Sequence, residues 1–495
     1  MLQSPESPYA HDRRVQVCKE ELPVRRPVLV PQSETQSEFW NTVRHIFVVT
    51  LCLVAVIPQA PAQNPNATAQ EPPNPRGAPR VEVPCRGPLF RIPSTTLGTE
   101  GVQVRVSLPA KGRYPNGAPI AVHITAASRS LETSRACLSE QGFIDVAYLC
   151  PSTSRGPLSA SCIADVISFA TGNTRSLEGK SIQDYVGTVK ALTGNAGIIG
   201  WSAGGNWAVL AMARHGKQFP GLRWFGSWES PILSPVDGGW GSIFEVNPFY
   251  DAATGKIDFE RLRYSSEMPL WVWPASGVAR QPDWPHGGLY LDGDANDLFN
   301  KNADYAFWVQ LDVSPPLKAF YTPMVTREAR DRKVFGDRWP HHIATLEEVE
   351  NRAIDEDALR HIPTAVKSFP RLAILVFHSE KGHVTVAADH PHAIAHVNGW
   401  LDARAHWVRF NPDVHYIQSA MGKKPSREVQ YSAGRKLDRG VVRDLVEAEA
   451  EEGGPTDKEG MIAVACELAD RTNYDNWSPV LTQILLQKTP HTSIR

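Results

Sequence analysis

The sequence has no surplus of charge of either sign. Its 51 lysines and arginines face 53 aspartates and glutamates, for a net charge of −2 over 495 residues. Nothing in that balance favours nucleic acid or another polyanion as a partner. Internal repeats are lacking, so a solenoid or propeller is not expected. Cysteine is scarce, at 7 residues, and its spacing fits neither a metal site nor a dense disulfide scaffold. What is present is a 42% hydrophobic chain with 40 prolines and 14 tryptophans. That suits one large α/β domain with insertions, or two domains, with many ordered loops.

The N-terminal apolar run Ile46–Ile57 is too short for a bilayer-spanning helix, which needs about 20 residues. Arg44 precedes it and Ala60-Pro61-Ala62 follows, the parts of a secretory signal peptide over about 43–62. The expectation is a secreted or periplasmic protein, membrane-bound only if this segment stays uncleaved. Met1 to Thr42 is long for a signal n-region, which suggests a start nearer the run, for example at Val43. Residues 1–62 thus read as an extension plus signal, and 63–87, rich in Pro, Ala, Asn and Gln, as a flexible linker. Cys85, Cys137, Cys150, Cys162 and Cys466 would remain after cleavage. Export permits a disulfide, with Cys150 and Cys162 as a candidate pair; buried free thiols are the alternative.

From residue 88 onward, apolar runs alternate with helical patterns. Strands are expected over Gly101–Leu108, Pro119–Ala127, Phe143–Leu149, Arg223–Trp228, Arg371–His378 and His406–Phe410. Helices are expected over Ser130–Gln141, Ser181–Leu192, Pro391–Ala403 and near Met461–Leu468. Such alternation implies a mostly parallel sheet covered on both faces. Residues 232–365 interrupt it with a segment rich in Trp, Tyr and Pro, expected as a cap or lid. Its Trp240, Phe249, Tyr250, Trp271, Trp273 and Trp284 would line a pocket or form the insertion's own core. Residues 421–495 read as a helical extension packing on the core, with the charged run Glu447–Glu452 exposed.

The most specific local pattern is Gly200-Trp201-Ser202-Ala203-Gly204-Gly205. It follows the apolar Ala196–Ile199 and precedes a helical stretch through Gly216. A serine on a tight strand-to-helix turn needs small neighbours two residues away, and the helix N-terminus behind it can stabilise an oxyanion. In these residues the chain resembles the α/β-hydrolase superfamily over roughly Pro88 to Tyr416.

That resemblance implies Ser202 as nucleophile, with an acid and a histidine following in chain order. His415, after the last strand, sits at the usual histidine position; His390, His392 and His396 are rivals. The acid is expected after the strand Leu372–Phe377, where Gly382 stands in the aspartate's place. Glu380 is the first substitute, with Asp389 and Glu229 as alternatives. The oxyanion donors would be the backbone N–H groups of Ala203 and of Thr125 or Ala126, although the family's His-Gly pair is missing there. The implied activity is hydrolysis of a carboxylic ester or acylated saccharide by an exported enzyme without a required cofactor. Two alternatives follow from the same residues: an impaired hydrolase fold acting as a binding or surface protein, and a peptidase or amidase. Separately, Asp292, Asp294, Asn296, the Leu298 carbonyl and Asn300 alternate as in a calcium loop, with Asp304 one step late for the bidentate position.

Overall fold

The computed structural model describes residues 87–125, 137–149, 157–232, 241–242, 245–251, 254, 256–266, 287–300, 302–307, 310–311, 318–379, 390–423, 432–442, 454–482 and 485. All of them fall within one unit, Val81–Arg495. The signal and linker segments, Cys85, Cys150, Glu380, Gly382, Asp389, Trp240, Trp271, Trp273, Trp284 and Glu447–Glu452 lie outside the described residues. No helix among the described residues is long and apolar enough to cross a membrane.

The core is an eight-stranded sheet. Its strands are β1 (Leu89–Ser94), β2 (Gly98–Ser107), β3 (Ala118–Thr125), β4 (Ile144–Leu149), β5 (Ala191–Trp201), β6 (Leu222–Trp228), β7 (Ala373–Phe377) and β8 (Trp407–Phe410). The spatial order is β1-β2-β4-β3-β5-β6-β7-β8. β2 runs antiparallel to β1 and β4, and every pair from β4 to β8 is parallel. Central strands such as β3 and β7 are buried on both faces, as their unbroken apolar runs require.

One face carries α1 (Pro157–Ala170), α2 (Ala203–His215), α3 (Ala358–Ser368) and α4 (Pro391–Asp402). The other carries a 3₁₀ turn (Leu138–Gln141), α5 (Val414–Met421) and α6 (Asp457–Tyr474). α6 opens on a capping box between Thr456 and Glu459. It runs antiparallel to the strands: Gly460 meets Phe377, Val464 meets Gly226, and the Ala469 carbonyl accepts from Asn195. Its buried charges are paired. Asp470 takes both arms of Arg113 at 2.7 Å and the hydroxyls of Tyr114 and Tyr416, while Glu467 binds Arg471 at 2.9 Å.

Several expectations need correction. The helix expected over Ser181–Leu192 is only Ile182–Val186, because Gly187 turns to φ 63° and the chain then extends into β5. Of Ser130–Gln141, the described part is the 3₁₀ turn. His415, read as a loop residue, lies in the first turn of α5, where Asp413 caps its N–H. Cys162 is buried and forms no disulfide, whereas Cys137 is disulfide-bonded, so the Cys150–Cys162 pairing does not hold. The insertion has a core of its own around Leu289, Leu291, Tyr321 and Val325, against which Phe249 and Tyr250 pack.

Candidate functional site

β5 ends at Trp201, and the chain reverses into α2 through Ser202, whose backbone holds φ 52° and ψ −131°. A non-glycine residue reaches such angles only when its surroundings enforce them. Here the Ser202 N–H donates to the Trp228 carbonyl (2.9 Å) and the Ser202 carbonyl accepts from Gly205 N–H (3.0 Å). Ala203 is the first residue of α2, so its N–H is among the donors a helix leaves unpaired internally. Thr125, the last residue of β3, pairs in register with Trp201. A Cβ on Gly204 would lie 2.1 Å from the Ile124 carbonyl oxygen, so this closeness of β3 to α2 requires glycine. Gly204→Ala is expected to force the two apart and to lower turnover by about 10²-fold. Steady-state kinetics beside a melting curve would check this.

The elbow has close neighbours. Trp201, Trp228 and Phe377 lie in one register across β5, β6 and β7. Ser202, Glu229 and His378 therefore follow the ends of adjacent strands in one row, spaced by about 4.8 Å per strand. Glu229 is buried, sits at φ 44°, and accepts from the Ser379 hydroxyl (2.8 Å) and N–H (3.2 Å). His378 is buried; Asn411 holds its backbone on both sides, and its ring lies 6.0 Å from that of His390. Its Nε2 has no hydrogen-bond partner among the described residues. Burial pushes the His378 pKa well below the usual imidazole range, and the Glu229 charge opposes that. His390 caps α4 at φ 41°. Of the backbone outliers, Ser202, Glu229, His390 and Asn411 all gather at this carboxyl edge, and such strain concentrates at working sites.

His392 and His396 are buried on α4 and pushed down to about 3 by desolvation. An unfolded histidine titrates near 6.5. As pH falls below that, the unfolded chain takes up protons that the native state refuses. Stability present above about pH 6.5 is then lost toward the folded values, by up to about 1.4 kcal/mol per pH unit for each ring. Urea midpoints between pH 7 and 5 should fall steeply, and less so in His396→Phe.

His415 follows β8. Its Nδ1 is 3.0 Å from Asp413 Oδ1 and its side chain is 51% exposed. Asp413 is tied to Arg409 and, through its N–H, to Glu467 on α6. Glu467 is seven residues beyond Gly460, about 10 Å down α6 from the sheet's carboxyl edge. β8 is three strands from β5, about 14 Å. Among the described residues no hydrogen bond links His415 with Ser202. Strand register thus brings together Ser202, Ala203, Thr125 and Glu229, while His415, after β8, pairs with Asp413. Asp413 escaped the sequence reading, although its place two residues before His415, after Pro412, marks a helix cap.

In the insertion, Asp292, Asp294 and Asp304 each offer an oxygen within 4.8 Å of the others, a donor set that could hold a hard cation. Asp292 and Asp294 belong to the expected set. Asn296 Oδ1 accepts from Leu298 N–H and Asn300 Oδ1 from Asn302 N–H. Asp292 is buried and accepts from the N–H groups of Asn296 and Asp297. Burial would raise its pKa, but these donors outweigh burial and lower it. Asp292→Ala leaves those donors unpaired and should destabilise the insertion by about 1–3 kcal/mol, read by chemical denaturation.

No protein-family model and no curated protein matches the chain. Solved structures do. A thermostable esterase from Pseudomonas putida ECU1011 aligns at 13% identity and TM-score 0.36, over 78% of this chain and 83% of the other. A fungal esterase from Rhizomucor miehei aligns at 9% and 0.37, over 80% and 86%. A bacterial heroin esterase aligns at 16% and 0.21, over 30% and 46%. At these scores the fold assignment rests on the chain's own geometry. A mostly parallel eight-stranded sheet, helices on both faces and a strained serine elbow after the fifth strand give this chain the α/β-hydrolase fold.

Proposed function

We propose that this chain is a serine hydrolase of carboxylic esters that works through an acyl-enzyme on Ser202. The observation that carries this reading is the strained Ser202 elbow, with a buried carboxylate, Glu229, at the end of the neighbouring strand. Ser202 Oγ attacks the ester carbonyl and its proton passes to a histidine. The N–H groups of Ala203 and of the β3 end around Thr125 hold the oxyanion. Collapse expels the alcohol, which takes that proton. Water then hydrolyses the acyl group by the same route.

We assign the base to the pair His378 and His390 beside Glu229, and the orienting acid to Glu229. Burial keeps His378 neutral, and the Glu229 charge favours the imidazolium that forms when it takes the proton. A second reading uses His415 as base with Asp413 as its acid, favoured by their 3.0 Å contact. Glu380 and Asp389 are further candidates for the acid. Substrates are carboxylic esters or acylated saccharides, with amides second, and the signal-like run at 43–62 supports export. N-terminal sequencing of the mature protein tests that last point.

The test of function is hydrolysis of chromogenic esters of graded acyl length by the full chain and by His378→Gln, His390→Gln and His415→Gln. Loss of about 10³-fold or more in His378→Gln or His390→Gln alone supports the first reading. The same loss confined to His415→Gln establishes the second. No turnover on any ester favours the binding-protein or peptidase alternative.

A further inference from the structure

Directly beneath the elbow, three buried polar side chains cross the sheet on the face toward α6. Asp145 lies on β4, His123 on β3 and Trp201 on β5, and all three are buried. Asp145 pairs with Ala121, and His123 with Ile199, so each side chain sits two residues further along its strand than the last. That diagonal places the groups in contact. Trp201 Nε1 donates to His123 Nδ1 at 3.3 Å, and His123 Nε2 lies 3.1 Å from Asp145 Oδ1. An indole N–H can only donate, so Nδ1 must be the acceptor and the ring proton sits on Nε2, directed at Asp145. The second Asp145 oxygen accepts the Ser139 N–H at 2.8 Å. Burial pushes the Asp145 carboxyl up, and the bond from His123 opposes that.

A chain of this kind costs desolvation that an apolar layer would avoid. The same layer is apolar at Ala121, Ile199 and Leu375. What distinguishes the three positions is what they adjoin. Trp201 immediately precedes Ser202, and His123 stands two residues before Thr125. Each end of the Trp201–His123 bond is therefore fixed to one of the two segments that carry the oxyanion donors. Those segments make their tight approach at Gly204 and Ile124.

We propose that Asp145, His123 and Trp201 form a positioning relay that sets the spacing between the end of β3 and the start of α2, and so the geometry of the oxyanion hole. This rests on the reading of Ser202 as nucleophile. Asp145 anchors the imidazole in one tautomer, and the imidazole holds the indole. None of the three touches the substrate.

The test compares Trp201→Phe, which keeps an aromatic ring but removes the donor and part of the indole volume, with His123→Leu and His123→Gln. The glutamine oxygen can accept from Trp201 while its N–H reaches Asp145. Turnover of a chromogenic ester is normalised to active sites by burst titration, and melting is measured in parallel. Trp201→Phe and His123→Leu are expected to lower kcat by about tenfold or more, with KM within about twofold. His123→Gln should recover most of kcat, and the Trp201→Phe/His123→Leu double variant should be no slower than the worse single variant. Unchanged kcat per active site in the single variants, whatever their melting temperatures, would overturn the relay. A wild-type rate no higher than that of Ser202→Ala would instead overturn the esterase reading, and the relay's role with it.

Discussion

Ser202→Ala is expected to reduce kcat/KM on a short chromogenic ester by at least about 10³-fold, and by up to about 10⁶-fold if the triad acts as a unit. Alanine keeps the Cβ, so the strain of φ 52° is nearly the same in both proteins, and the turn should persist. Only the nucleophilic oxygen is removed. The residual rate would come from the N–H groups at the start of α2, which still polarise a bound carbonyl. Glu229→Gln should cost less, on the order of 10⁴-fold at most, because losing the orienting acid leaves nucleophile and base in place. An unchanged melting temperature beside the lost rate would assign the effect to chemistry.

The largest expected effect on stability is at Asp470. Its carboxylate receives Arg113 through Nε and Nη2 at 2.7 Å each, and the hydroxyls of Tyr114 and Tyr416 at 2.7 and 3.1 Å. Burial alone would push the Arg113 pKa down; the Asp470 charge outweighs it and holds the guanidinium charged. Asp470→Ala leaves that cation buried without its partner, which typically costs about 3–5 kcal/mol. Replacing both members with apolar residues, as in Arg113→Met with Asp470→Leu, should cost much less. Urea denaturation of the two variants distinguishes these outcomes. Because Arg113 precedes β3 and Asp470 lies in α6, the pair ties the C-terminal helix to the start of the sheet.

The elbow was legible in sequence because its signature is local, an apolar strand, a serine, and glycines at Gly200 and Gly204, even though the Trp228 carbonyl and Ile124 that hold it are distant in the chain. The central strands were legible for a similar reason, since a strand buried on both faces reads as one apolar run. β1 was not, because Leu89–Ser94 is a short, half-buried edge strand containing Pro93. α1 was missed because buried serines replace an amphipathic face at Ser159, Ser161 and Ser168. The row Ser202, Glu229 and His378 depends on the register of three strands far apart in the chain, which no local pattern reports. The same holds for Arg113 with Asp470, and for Trp201 with His123 and Asp145. Chain order alone points to His415. Its anchoring through Asp413 to α6 is a long-range contact.

The most direct test of the central claim is the site of covalent modification. Full-length protein treated with a slowly released ester or an alkyl phosphonate would be analysed by intact mass and peptide mapping. A single adduct is expected, on the peptide containing Ser202 and absent from Ser202→Ala. An adduct on another residue, or none while ester turnover continues, would contradict it.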